Sequence, residues 1–154
     1  MIPTKQTGIQ EQEGQAALLA KRNPKIMIVD DNAELLEELE RMLSTAGYDV
    51  IVVSDSAAAF EEALKNAPDI LLLDLKMTPK SGFQIAHELR HSWLMKDVPI
   101  IAMTGFFTEK EHILMMKLCG IKSFILKPFN PVDLISKLEF ALGRRTEEYD
   151  PEEA

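Results

Sequence analysis

The chain has 154 residues, 46% of them apolar and 27% charged, a one-domain length with enough apolar material for a sizeable core. A formal net charge of −8 argues against contact with nucleic acid by this chain, since neutralising phosphates requires a basic surface. The one cysteine, Cys119, excludes an internal disulfide and any multi-cysteine metal site, and no stretch has the length or apolarity of a membrane span or signal peptide. Together these features point to a cytoplasmic protein without membrane contact.

Residues 1–23 are rich in Gln and Gly and poor in large apolar side chains, which predicts a flexible N-terminal extension. Lys25–Val29 reads as a first strand, ending in Asp30 and Asp31. Leu35, Leu36, Leu39, Met42, Leu43 and Ala46 then fall at the spacing of a helix with one buried stripe, closed by Gly47. Tyr48–Val53 is β-branched and aromatic, a second strand, and Ala57–Lys65 is a second helix stopped near Pro68. Ile70–Leu73 is an unbroken apolar run, as expected of a strand covered on both faces, and it delivers Asp74 into a loop carrying Pro79 and Gly82. Phe83–His91 gives a third helix, Val98–Met103 a fourth strand ending in Thr104, and Thr108–Leu118 a fourth helix. Ser123–Leu126 is a short fifth strand ending in Lys127, and Asn130–Pro131, a cap followed by proline, starts a last helix that runs to about Leu142. The division expected is an extension over 1–23, one domain over 24–143 and an acidic tail over 144–154.

Strands alternating with helices, the strands apolar throughout, define an α/β fold: a doubly wound parallel sheet of five strands with helices on both faces. In such a sheet the carboxyl ends of the strands share one edge, so Asp30, Asp31, Asp74, Thr104 and Lys127 converge there. Each has an ordinary explanation taken singly: paired Asp before a helix caps it, and a strand-end Thr or Lys is structural or solvated. Their joint occurrence is much harder to obtain by chance. Three crowded carboxylates repel one another, and a hard divalent cation such as Mg²⁺ relieves that. Such a site suits phosphoryl transfer, with one carboxylate attacking while lysine, hydroxyl and metal stabilise the transferred oxygens.

Four segments, MIVDD at 27–31, LLLDLKM at 71–77 followed by Gly82, AMTG at 102–105 and ILKPF at 125–129, resemble the receiver domain of two-component response regulators. The resemblance covers about Asn23 to Gly143 with the motifs in order. It implies a flavodoxin-like fold with strand order 2-1-3-4-5, and Asp74 as the phosphoacceptor. It further implies Asp31 and Asp74 as direct Mg²⁺ ligands, Asp30 acting mainly through water, and the backbone carbonyl of Lys76 completing the protein set. Thr104 and Lys127 would contact the phosphoryl group, Phe124 would be the aromatic switch partner of Thr104, and Lys127–Pro128 would be cis. The phosphodonor would be a sensor histidine kinase or a histidine phosphotransfer protein. The protein would not be an enzyme toward other substrates, assisting only its own phosphorylation and dephosphorylation. The chain departs from the family where Met77-Thr78-Pro79 replaces the common Met-Pro and Ser81 replaces a common Asp before glycine.

The alternatives differ in class. A receiver-fold interaction module without a phosphorylation cycle would not need the complete set of site residues. A flavodoxin-like cofactor protein would offer small residues and N–H groups after the first strand, where Asp30 and Asp31 instead repel phosphate. A phosphatase-like hydrolase would place a second acid two residues after Asp74, where Lys76 stands. No output module is expected after Gly143, so the signal is expected to pass to a downstream protein or a second copy through helix four, strand five and helix five. Helix four carries Ile113, Leu114, Met115, Met116 and Leu118, more apolar residues than one stripe needs, and Met115, Met116 and the Phe106–Phe107 loop are expected to face that partner.

Phe106, two places after Thr104, matches a position flanking the path of the attacking water in the family. A large apolar ring there should hinder an in-line water and lengthen the phosphoryl lifetime. Phe106→Ala and Phe106→Glu are therefore expected to lose phosphate faster than the parent, on the order of tenfold; equal or slower loss in both removes the shielding idea.

Overall fold

A computed structural model of the chain describes residues 22–105 and 109–144. The extension and acidic tail expected at the ends, and Phe106 and Phe107, lie outside the described residues. In chain order the elements are β1 (Lys25–Val29), α1 (Ala33–Thr45), β2 (Asp49–Val53), a 3-10 turn (Ser56–Ala58) running into α2 (Ala59–Asn66), and β3 (Ile70–Asp74). There follow α3 (Gly82–Arg90), β4 (Ile100–Thr104), α4 (Lys110–Leu118), β5 (Ser123–Leu126) and α5 (Pro131–Ala141). The strands form one parallel sheet in the order β2-β1-β3-β4-β5.

The period of two along each central strand sorts the core into two halves. Met27, Val29, Leu71, Leu73, Ile100 and Ala102 pack toward α2, α3 and α4. Ile26, Ile28, Ile70, Leu72, Ile101 and Met103 pack toward α1 and α5. Every residue of β3 and β4 is buried, as the apolar runs predict, whereas the edge strands β2 and β5 are covered only in part. Edge position overrides composition there: Val52 and Leu126 reach solvent although both are apolar.

Local signals place the ends of the helices. Asn32 accepts from the Leu35 N–H to cap α1, and Gly47, at φ +99°, ends its exit in the left-handed region. Asn130 caps α5 through the Val132 N–H, with Pro131 at the first helical position. The second helix begins as a 3-10 turn because Asp55 caps the Ala57 N–H early. β4 begins later than Val98, the predicted start. Pro99 has no N–H to give, and the Val98 carbonyl is taken by Arg90 at 2.6 Å. The same guanidinium also reaches the carbonyls of Lys96 and Gly120, tying the end of α3 to two connections at the amino edge of the sheet. Tyr48 donates to Glu139 and joins the start of β2 to α5; burial and that carboxylate push the phenol well above its ordinary range.

Gly82 opens α3 directly beneath the end of β3, with its N–H donating to the Leu75 carbonyl at 3.1 Å. A Cβ there would stand 2.3 Å from the Asp74 carbonyl oxygen and 2.8 Å from the Leu75 Cα, both backbone atoms that cannot swing aside. Gly82→Ala is therefore expected to cost about 2–3 kcal/mol, read by urea unfolding, because either β3 or α3 must shift. A variant as stable as the parent would show that the β3–α3 approach is not tight.

Candidate phosphoacceptor site

The five residues predicted to converge do stand at the carboxyl edge of the sheet. Asp30 follows β1 on the parity of Ile26 and Ile28, and Asp74 closes β3 on the parity of Ile70 and Leu72, so both lie toward α1 and α5. Asp30 is buried. Its backbone N–H donates to the Val53 carbonyl at 3.2 Å, and its Oδ1 accepts from the Asn32 N–H at 2.9 Å. Asp31 is exposed beside it. Thr104 is buried at the end of β4, where its carbonyl accepts the Lys127 N–H at 2.7 Å. That bond sets the start of the lysine, and its Nζ ends 2.6 Å from Asp30 Oδ2 and 3.6 Å from Asp74 Oδ1. The Lys127–Pro128 bond is cis, as the resemblance implied, and so is Thr78–Pro79.

Charge is out of balance here. Burial pushes the Asp74 carboxyl above its ordinary range, and the charge of Asp30 pushes it further, with a smaller push from Asp31. Lys127 and the Lys76 N–H, 3.4 Å from Asp74 Oδ1, oppose the rise without cancelling it. Oxygens of Asp30, Asp31 and Asp74 all come within 4.8 Å of one another. One ammonium thus faces three carboxylates in a partly buried, oxygen-rich corner, and a small hard cation fits that donor set. The corner opens into a cleft of about 670 Å³, lined in part by Asp74, Lys76, Thr104, Lys127 and the α1 residues Leu35 and Glu38.

Supporting residues carried weaker signals. Asn32 both caps α1 and, through its N–H, fixes Asp30. Ser56 is buried and accepts from the Lys80 N–H at 3.0 Å, holding the loop after Asp74 from the opposite side; only its small size and its place next to Asp55 hinted at this. Ser81, the departure before Gly82, forms a reciprocal capping box with Gln84 and so starts α3 by itself. Phe124 pairs with Ala102 in the sheet and packs against the α2–α3–α4 core, on the same face as Thr104 two residues further along β4. One expectation on α4 needs correction. Met116 is buried among core residues, whereas Leu114, Met115 and Leu118 are exposed; the helical turn puts position 116 on the inner stripe.

The family model of the response regulator receiver domain matches residues 26–139. The chain belongs to that family of two-component signalling modules. A probable transcriptional regulator, ycf27 of Porphyridium aerugineum, is 35% identical over 120 residues, covering 78% of this chain and 48% of that protein. The chain spans about half the length of the curated relatives it matches. The structure of the Vibrio cholerae chemotaxis protein CheY4 superposes with a TM-score of 0.74 at 28% identity, over 77% of this chain and 98% of that one. The receiver domain of the Pseudomonas aeruginosa sensor kinase PA1611, solved with a magnesium ion in its active-site cleft, gives 0.72 at 27% identity over 79% and 98%. Among the described residues no helix is long and apolar enough to cross a membrane. The expectation of no nucleic-acid contact rests on the charge of these 154 residues alone, while ycf27 is a probable transcriptional regulator about twice as long.

Two variants should move metal-free stability in opposite directions. Lys127→Met strips buried Asp30 of its counter-ion and is expected to cost about 2–3 kcal/mol in chelator, with part recovered on adding Mg²⁺. Asp74→Asn removes a carboxylate whose pKa the fold raises. The stability such a group contributes is present below the unfolded carboxylate range and lost as pH rises through the raised value. At neutral pH without metal the Asn variant should therefore melt above the parent, the gap closing under acid and reversing in Mg²⁺. A lower melting temperature for Asp74→Asn in chelator at pH 7 would contradict the charge imbalance.

Proposed function

We propose that the chain is a phosphoacceptor that takes a phosphoryl group onto Asp74 and signals by changing the protein it binds. The observation that carries this reading is the buried Asp74 carboxylate standing beside Asp30, Asp31 and Lys127 at the mouth of one cleft. A sensor histidine kinase or histidine phosphotransfer protein is the donor. An Asp74 carboxylate oxygen attacks phosphorus, the P–N bond to the donor imidazole breaks, and its electron pair leaves with the imidazole, giving an aspartyl phosphate.

Asp31 and Asp74, with the Lys76 carbonyl and with Asp30 through water, are the residues that would hold Mg²⁺. Bound there, the ion supplies positive charge against the transferred oxygens. The chain's own groups do the rest. Asp30 keeps Lys127 extended across the site, from which Nζ turns to the incoming phosphoryl oxygens. Thr104 offers its hydroxyl from the end of β4. Its inward movement frees space on the face it shares with Phe124, so that hydroxyl and ring form one two-state element. The protein assists only its own phosphorylation and dephosphorylation and is not an enzyme toward other substrates.

The partner, a downstream protein or a second copy, is met through α4, β5 and α5. Support comes from the run of exposed apolar side chains there: Leu114, Met115 and Leu118 on α4, Leu126 on β5, and Val132 and Phe140 on α5.

With Mg²⁺ and acetyl phosphate, intact-mass measurement should show one added phosphoryl group, absent in Asp74→Asn and in chelator. Thr104→Val and Lys127→Met should retain the acceptor but lose phosphorylation-dependent changes in hydrogen exchange across α4 and β5. Equal labelling of Asp74→Asn would overturn the acceptor; labelling without any exchange change in the parent would overturn the output surface.

A further inference from the structure

The last turn of α3 and its cap read His87-Glu88-Leu89-Arg90-His91, a spacing that puts two imidazoles on one face of a helix. Both histidines are exposed, and their ring centroids lie 4.1 Å apart with a tilt of 42°. His91 Nδ1 stands 2.8 Å from the His87 carbonyl oxygen. A carbonyl only accepts, so Nδ1 is the donor and Nε2 is the nitrogen left to face a metal; a backbone carbonyl orienting one ring nitrogen is the usual support for a metal-bound imidazole. Glu88, which would be the base of a hydrolytic centre of this spacing, is instead paired with Lys80 at 2.7 Å. Among the described residues the only group of three or more candidate ligands is Asp30, Asp31 and Asp74, so no third protein ligand joins the pair.

We propose that His87 and His91 form a second, two-imidazole metal site, taking a tetragonal divalent transition ion, Cu²⁺ or Ni²⁺, independently of the acidic site. Ligand type separates the two sites: imidazole nitrogen suits copper, nickel and zinc, and the all-carboxylate corner suits magnesium. Geometry then chooses among the imidazole-binding ions. With a metal–nitrogen bond of about 2.0–2.1 Å, each ring centre lies about 3.2 Å from the ion. Two such rings at 90° have centres about 4.5 Å apart, and at a tetrahedral angle about 5.2 Å. The observed 4.1 Å, with the rings tilted by 42°, is a ring contact shorter than either, and the square arrangement asks for the smaller opening. The sites are also apart in space. α3 begins at Gly82 under the Asp74 carbonyl, and its rise carries His87 about 7–8 Å and His91 about 13 Å along the axis, away from that end. A chelate across residues 87 and 91 would staple the turn from which Arg90 holds the carbonyls of Lys96, Val98 and Gly120.

Trp93, the one tryptophan, stands two residues beyond His91 and is exposed, which supplies a probe. In the full chain held in excess Mg²⁺, Cu²⁺ should quench Trp93 fluorescence and saturate at one equivalent, and Ni²⁺ should raise the melting temperature. His87→Gln and His91→Gln, both at exposed positions, should each weaken the Cu²⁺ response at least tenfold and abolish the Ni²⁺ shift. His112→Gln and Cys119→Ser should leave both unchanged. Quenching that persists in both position-87 and position-91 variants overturns the site, as does quenching lost in Cys119→Ser or Asp30→Asn. Zn²⁺ bound as tightly as Cu²⁺ overturns the tetragonal assignment.

Discussion

Three carboxylates and one ammonium in a partly buried corner are the constraint around which the domain is arranged. Lys127 alone cannot balance Asp30, Asp31 and Asp74, and burial, with the charge of Asp30 added to it, raises the pKa of Asp74. A structure built for stability alone would replace such a cluster with apolar side chains of similar size. Its retention makes sense where the missing positive charge arrives from outside and the surplus negative charge is put to use. The surroundings limit the damage: Asn32 fixes Asp30, the Thr104 carbonyl fixes the start of Lys127, and Ser56 restrains the loop after Asp74. Gly82 allows that loop to return directly under the strand end.

Much of this was legible from residue order. A parallel sheet puts every strand's carboxyl end on one edge, so finding Asp30, Asp74, Thr104 and Lys127 after apolar runs was enough to gather them. The Asn130-Pro131 cap was equally plain, because it acts within one turn of itself. The misses are non-local. Arg90 carries no sequence signal for its role, since its three carbonyl partners come from two different connections. Ser56 had no sequence neighbour to explain its burial, since its partner Lys80 is 24 residues away. Met115 and Met116 could not be separated by composition. Only the phase of α4 against the sheet puts position 116 inside and 115 outside. The start of β4 slipped past Val98 because a distant guanidinium claims its carbonyl.

Burial also tells where movement is cheap. β3 and β4 are closed on both faces, so displacing either would tear both core halves. β5 is an edge strand with one fully buried residue, and α4 contributes only Met116 to the core. Opening energies in a folded domain follow such differences in buried contact. The proposed switch pair straddles that gradient. Thr104 ends the rigid β4, and Phe124 sits on the loosely held β5, one face in common. Lys127 links them again, since its N–H is bonded to the Thr104 carbonyl while its Nζ lies on Asp30. In the proposed phosphorylated state Nζ turns from Asp30 to the phosphoryl oxygens, while the backbone bond keeps the end of β5 tied to Thr104. The exposed apolar residues of α4 and β5 lie on the elements with least to hold them. In the proposed signalling state, a small change in charge at a rigid strand end would thereby reach the part of the surface that resists movement least.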